Sequence, residues 1–140
     1  YNFPITNVQK FKFKQKKSNN IWPTIFPTSC ISIRKKTMVR FIKYLKPNLF
    51  PNLEIDARLN IFMKFYLNEY NIIRKKLTKY NDDQFSITSN IPKYSKKWWF
   101  RRLEAYKYMQ FILQKKNKKL NITIDYLITI IVSKIYNFFF

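Results

Sequence analysis

Leu103-Glu104-Ala105-Tyr106-Lys107-Tyr108-Met109-Gln110-Phe111-Ile112-Leu113 is the stretch whose reading decides the fold. Taken with a period of two, Leu103, Ala105, Met109 and Phe111 share one side of a strand. Taken with a period of 3.6, Leu103, Tyr106 and Gln110 share a helical face. Both readings stay open here. The strand reading gives an α+β chain.

Immediately before it stands Lys93-Tyr94-Ser95-Lys96-Lys97-Trp98-Trp99-Phe100-Arg101-Arg102, with five cations and four aromatics in ten residues. Cations neutralise phosphates and release counterions. Trp98 and Trp99 can stack on unpaired bases, and Arg101 and Arg102 can fork onto phosphate. Lys93, Lys96 and Lys97 complete the candidate site. The plain reading beside it is that Trp98, Trp99 and Phe100 pack the domain under solvated cations. Further basic groups lie at Arg74-Lys75-Lys76 with Lys79, and at Lys115, Lys116, Lys118 and Lys119.

Residues 1–36 contain no acid. They carry Lys10, Lys12, Lys14, Lys16 and Lys17, then Arg34, Lys35 and Lys36, punctuated by Pro4, Pro23 and Pro27. This segment reads as an extended basic arm that orders on an anionic partner. Its lysines and Arg34 join the candidate RNA contacts. Residues 37–140 read as one α+β domain.

Within that domain, 37–46 is rich in β-branched and aromatic residues and stops at Pro47, which predicts a strand. Ile55, Leu59, Phe62, Met63 and Tyr66 then mark one face of a helix over roughly 53–69. Glu54 and Asp56 occupy its first turn, where the helix dipole favours acids. Residues 71–80 are ambiguous between helix and strand. Asn81-Asp82-Asp83 signals a turn, and Phe85 and Ile87 alternate with Ser86 and Thr88 as a strand does. Asn121 or Thr123 can cap a last helix, with Ile124, Leu127, Ile128 and Ile131 as its buried face. Residues 135–140 read as a short aromatic strand. Asp125 and Lys134 inside 122–140 argue against a membrane span, at about 2.5–3.5 kcal/mol each near a bilayer centre.

Composition narrows the chemistry. The chain has 140 residues, a net charge of +21, no Gly, no His and one Cys, Cys30. Without Gly it has no P-loop or dinucleotide turn. Without His, one Cys builds neither a Cys/His zinc site nor a His-based triad. The seven acids suggest no carboxylate pair across a cleft. The expectation is a protein that is not an enzyme, with no cofactor, no metal and no small-molecule substrate. Lys, Ile, Asn, Phe and Tyr make up 79 of 140 residues, all codable with A and T alone. That points to an AT-rich genome, in an organelle or in the nucleus of an AT-rich parasite. Such a genome inflates Lys, but it does not explain the shortage of acids. A charge this high repels itself unless a polyanion neutralises it. The chain starts at Tyr1 rather than Met and reads as a fragment or a processed form.

The predicted order after residue 37 is strand, helix, strand, long basic loop, strand, helix, strand. This is the ferredoxin-like split β-α-β arrangement. Its spacing resembles small-subunit ribosomal protein ten. Phe85-Ser86-Ile87-Thr88 falls at that family's strand, 92–102 at its long loop, Ala105-Tyr106-Lys107-Tyr108 at its Thr-His-Lys-Arg, 122–133 at its second helix and 135–140 at its last strand. Tyr106 stands where the family has His, Trp98-Trp99 is unlike it, and its Pro-rich segment is absent. The resemblance implies a non-catalytic constituent of an organellar small ribosomal subunit. Its partners would be ribosomal RNA and neighbouring ribosomal proteins, in a mitochondrion or a plastid-type organelle. The competing expectation is an accessory subunit of a mitochondrial respiratory membrane complex.

Overall fold

The computed structural model describes residues 8–12, 31–67, 69–73 and 91–139. Its elements are β1 (Val8–Lys12), α1 (Lys35–Ile42), α2 (Ile55–Ile61), β2 (Glu69–Ile73), α3 (Lys96–Gln114) and α4 (Ile124–Phe139). A 3-10 turn, Pro47–Leu49, joins α1 to α2, and α2 runs on as a π-turn over Phe62–Leu67. Phe85-Ser86-Ile87-Thr88, Cys30 and the Arg74–Lys79 group lie outside the described residues.

The fold is helical, which corrects the expected α+β ferredoxin-like split β-α-β domain. The described residues hold one ladder, β1 antiparallel to β2, with Val8 opposite Ile73 and Lys12 opposite Glu69. No described residue between 91 and 139 is in a strand. The order of elements that carried the resemblance is therefore not the order found.

Three segments account for the difference. The strand expected at 37–46 is helix α1 with its trailing turn. Met38, Phe41 and Leu45, spaced i, i+3, i+7, face the core, while Lys36, Arg40 and Lys43 share the opposite, exposed face. Core packing overrode the β-branched composition, as it readily does for so weak a preference. The α1 helix also crosses the expected boundary between residues 36 and 37.

Residues 103–113 belong to α3. The stripe that docks is Ala105, Tyr108, Met109 and Ile112, spaced i, i+3, i+4, i+7, each fully buried. Ser95 caps this helix by accepting the Trp98 backbone N–H at 3.2 Å. At the other end Asn117 takes a left-handed φ of 53°. The Lys118 N–H returns to the Leu113 carbonyl at 3.0 Å, closing the last turn. That position favours glycine, and in a chain without glycine Asn is the next best residue.

Residues 135–139 continue α4 rather than forming a strand. Thr123 caps α4 by accepting the Tyr126 N–H at 3.2 Å. Its buried residues are Thr129 and Ser133. Ile124, Leu127, Ile128 and Ile131, expected inside, are exposed. Small side chains let α4 approach α3 closely, and Ser133 Oγ donates to the Trp99 carbonyl at 3.4 Å.

The core lies between α1, α2 and α3 and is rich in aromatic rings. Phe62 stacks on Tyr66 with ring centroids 4.9 Å apart, Phe41 meets Phe62 at 5.5 Å, and Phe50 meets Tyr108 edge-on at 5.2 Å. Several polar groups carried inward are paired. Tyr108 Oη donates to the Tyr44 carbonyl at 3.0 Å and Tyr44 Oη to Tyr66 Oη at 2.9 Å. Buried Arg58 donates to the Leu45 and Phe50 carbonyls, pinning the turn between α1 and α2. That turn includes Lys46 at φ 40°.

Candidate nucleic-acid interface

The cluster at 93–102 forms a turn followed by the first two turns of α3. Pro92 to Ser95 is closed by the Ser95 N–H on the Pro92 carbonyl at 3.1 Å. Lys93, Lys96 and Lys97 are exposed, and Trp98, Trp99 and Phe100 are half-buried. The two tryptophans meet edge-on at 4.7 Å. Lys93 Nζ lies 5.2 Å from the Tyr94 ring and Lys96 Nζ 6.0 Å from Phe100. Such cation–ring contacts are worth about 0.5–1 kcal/mol at exposed sites.

Arg101 and Arg102 turn inward. Arg101 Nε is 2.5 Å from Glu54 Oε2, and Arg102 is 2.5 Å from Asp125 Oδ2 while its guanidinium covers Trp98 at 4.7 Å. Asp125 also accepts from Tyr106 Oη. Burial first, and this hydrogen bond second, push the Tyr106 phenol up to about 12. Burial likewise raises Tyr108. Glu104 receives the Asn52 backbone N–H at 2.7 Å and its side-chain amide at 2.6 Å. Asp56 accepts the Ala57 N–H at 2.7 Å. Glu54, Asp56, Glu104 and Asp125 are thus all engaged within the fold. Among the described residues, no ion pair engages the exposed Lys93, Lys96 and Lys97.

Helix ends sharpen this asymmetry. A helix N-terminus carries partial positive charge and ordinarily draws acids. Asp56 and Asp125 obey that preference in α2 and α4. By contrast, α1 and α3 have no acid in the first turn and open instead with Lys35-Lys36 and Lys96-Lys97. An anion at such an end would meet both the dipole and the lysines.

The remaining expected contacts are scattered. Arg34 precedes α1, and it, Lys35 and Lys36 are exposed. Lys10 and Lys12 lie in β1. Lys14, Lys16 and Lys17 are outside the described residues. Lys115, Lys116, Lys118 and Lys119 are exposed around the end of α3, with Lys116 Nζ 4.4 Å from the Tyr66 ring. One residue absent from the expected set is prominent: Tyr94, 57% exposed, at the tip of the turn. Its signal in the sequence was Ser95, whose capping role places Tyr94 just outside the helix.

Among the described residues, no three His, Cys, Asp or Glu side chains gather to hold a metal ion. No described helix is long and apolar enough to cross a membrane. No known protein family, curated protein or solved structure matches this chain.

Proposed function

We propose that this chain is a structural, non-catalytic RNA-binding constituent of an organellar ribosome. The observation that carries the reading is the division of charge. Glu54, Asp56, Glu104 and Asp125 each hold a partner within the fold, while Lys93, Lys96 and Lys97 stand exposed beside a ring cluster at a helix start without acids. A surface of this kind tracks a phosphate backbone and offers rings to bases. The ribosomal setting draws on the AT-rich composition and the acid-free arm. Small-subunit membership and a mitochondrial location are the finer parts of the same proposal.

Sedimentation of the native complex tests it. Co-migration with the small ribosomal subunit, with release by RNase, is the expected result. Migration apart from both ribosomal subunits overturns the ribosomal reading. For the RNA contact itself, replacing Lys93, Lys96 and Lys97 together by Gln should lower the salt slope of single-strand binding by about 2, at roughly 0.7 per phosphate contact.

A second reading, an accessory subunit of a respiratory membrane complex, is favoured by the exposed apolar face of α4. Release by detergent but not by RNase would select it.

A further inference from the structure

We infer that Tyr94 is a base-stacking residue, and that the 93–98 turn takes an unpaired nucleotide of single-stranded RNA rather than duplex. This rests on the RNA-binding reading above and goes further by naming the form of RNA and the contacting ring.

Four observations converge on Tyr94. The first is presentation. Trp98, Trp99 and Phe100 are half-buried, and the Arg102 guanidinium already covers Trp98. Tyr94 is the exposed aromatic of the cluster, more than half open to solvent.

Support is the second. The Tyr94 ring is flanked by Trp98 at 5.2 Å and Trp99 at 6.2 Å. The Tyr94 carbonyl accepts from Tyr136 Oη of α4 at 3.3 Å. The turn is thereby braced from two helices, so the ring is presented from a fixed base.

Backbone conformation is the third. Tyr94 sits at φ 67°, a left-handed conformation unfavourable for a residue with a Cβ. Asn tolerates it better, occurs 14 times in this chain, and fills the equivalent need at Asn117. An aromatic at 94 therefore costs stability that Asn would not, and such cost is a recurrent feature of functional sites.

The last is charge. Lys93 Nζ rests 5.2 Å from the Tyr94 ring, with Lys96 and Lys97 one and two residues beyond Ser95. A base laid on Tyr94 would displace Lys93 from the ring toward the flanking phosphate. The bases of a duplex are already stacked and paired, so they offer no face to this ring.

The test compares a mixed-sequence RNA single strand, its duplex, and an abasic strand of the same length. Each is titrated against the full chain and against Tyr94→Ala and Tyr94→Phe, with circular dichroism confirming unchanged helicity. One stacked base is worth about 1–3 kcal/mol, a factor of roughly 5 to 150 in affinity. The expected result is that Tyr94→Ala loses this factor on the base-bearing strand and nothing on the abasic strand. Tyr94→Phe should keep it. Equal affinity of the unmodified chain for base-bearing and abasic strands, or for single strand and duplex, overturns the inference and leaves the RNA-binding reading standing. No binding to any of the three overturns both.

Discussion

Tyr106 shows how one side chain can carry both structure and a measurable signature. Its phenol is buried against α4 and donates to Asp125, so the neutral form is favoured in the fold. The folded pKa of about 12 lies above the ordinary value of 10. A raised acid contributes stability that is complete below about pH 10 and is lost as pH climbs through about 12. The contribution of Tyr106 to the melting temperature should therefore hold steady up to about pH 10 and fall above it. Tyr106→Phe should reduce that fall and remove one late-titrating tyrosinate from the absorbance curve. Tyr94 offers the opposite case at the same scale. Tyr94→Gly relieves a left-handed backbone worth about 1–2 kcal/mol, less the entropy that glycine adds to the unfolded chain. Thermal denaturation should show a gain of up to about 1 kcal/mol, accompanied by the loss of single-strand affinity.

At the scale of elements, α4 is the instructive one. Its apolar residues were legible as a helical stripe, and the stripe exists, but it faces outward. Asp125, Thr129, Ser133 and Tyr136 lie on the face that docks, through a salt bridge to Arg102 and a hydrogen bond to the Trp99 carbonyl. Periodicity shows that a helix has two unlike faces. It does not say which of them finds a partner within the same chain. Ser133→Leu should overpack the α3–α4 contact and cost about 1–3 kcal/mol. Ile131→Ser, on the 57% exposed face, should change stability by no more than about 0.5 kcal/mol. Chemical denaturation of both variants checks the orientation directly, because an inward Ile131 would reverse the ranking. The α3 helix teaches a related lesson. Ala105, Tyr108, Met109 and Ile112 had helical spacing all along, but the alternation of Leu103, Ala105, Met109 and Phe111 competed with it. Ile112→Ala, at a fully buried site, should cost about 2–5 kcal/mol.

For the whole molecule, charge is the governing quantity. With +21 overall and four described acids partnered within the fold, the exposed surface repels itself. Screening shortens the range of that repulsion. Melting temperature should rise with added salt, and rise further with a polyanion such as heparin at equal ionic strength. A melting temperature independent of both would show that the surface charge is locally compensated after all. Composition and local spacing alone determined much here: the exclusion of His- and Gly-dependent chemistry, the strong positive charge, the helix after Pro51, and the basic–aromatic character of 93–102. Local spacing and composition suffice for those, because each depends on residues close in the chain. Tertiary structure alone decided that 35–42 and 96–114 are helices, that α4 turns its isoleucines outward, and that Arg101 and Arg102 serve the fold while Tyr94 faces solvent. Those outcomes depend on partners such as Glu54, Asp125 and Trp99, more than 20 residues away in sequence. Short-range patterning carries no information about which distant side chain will be met.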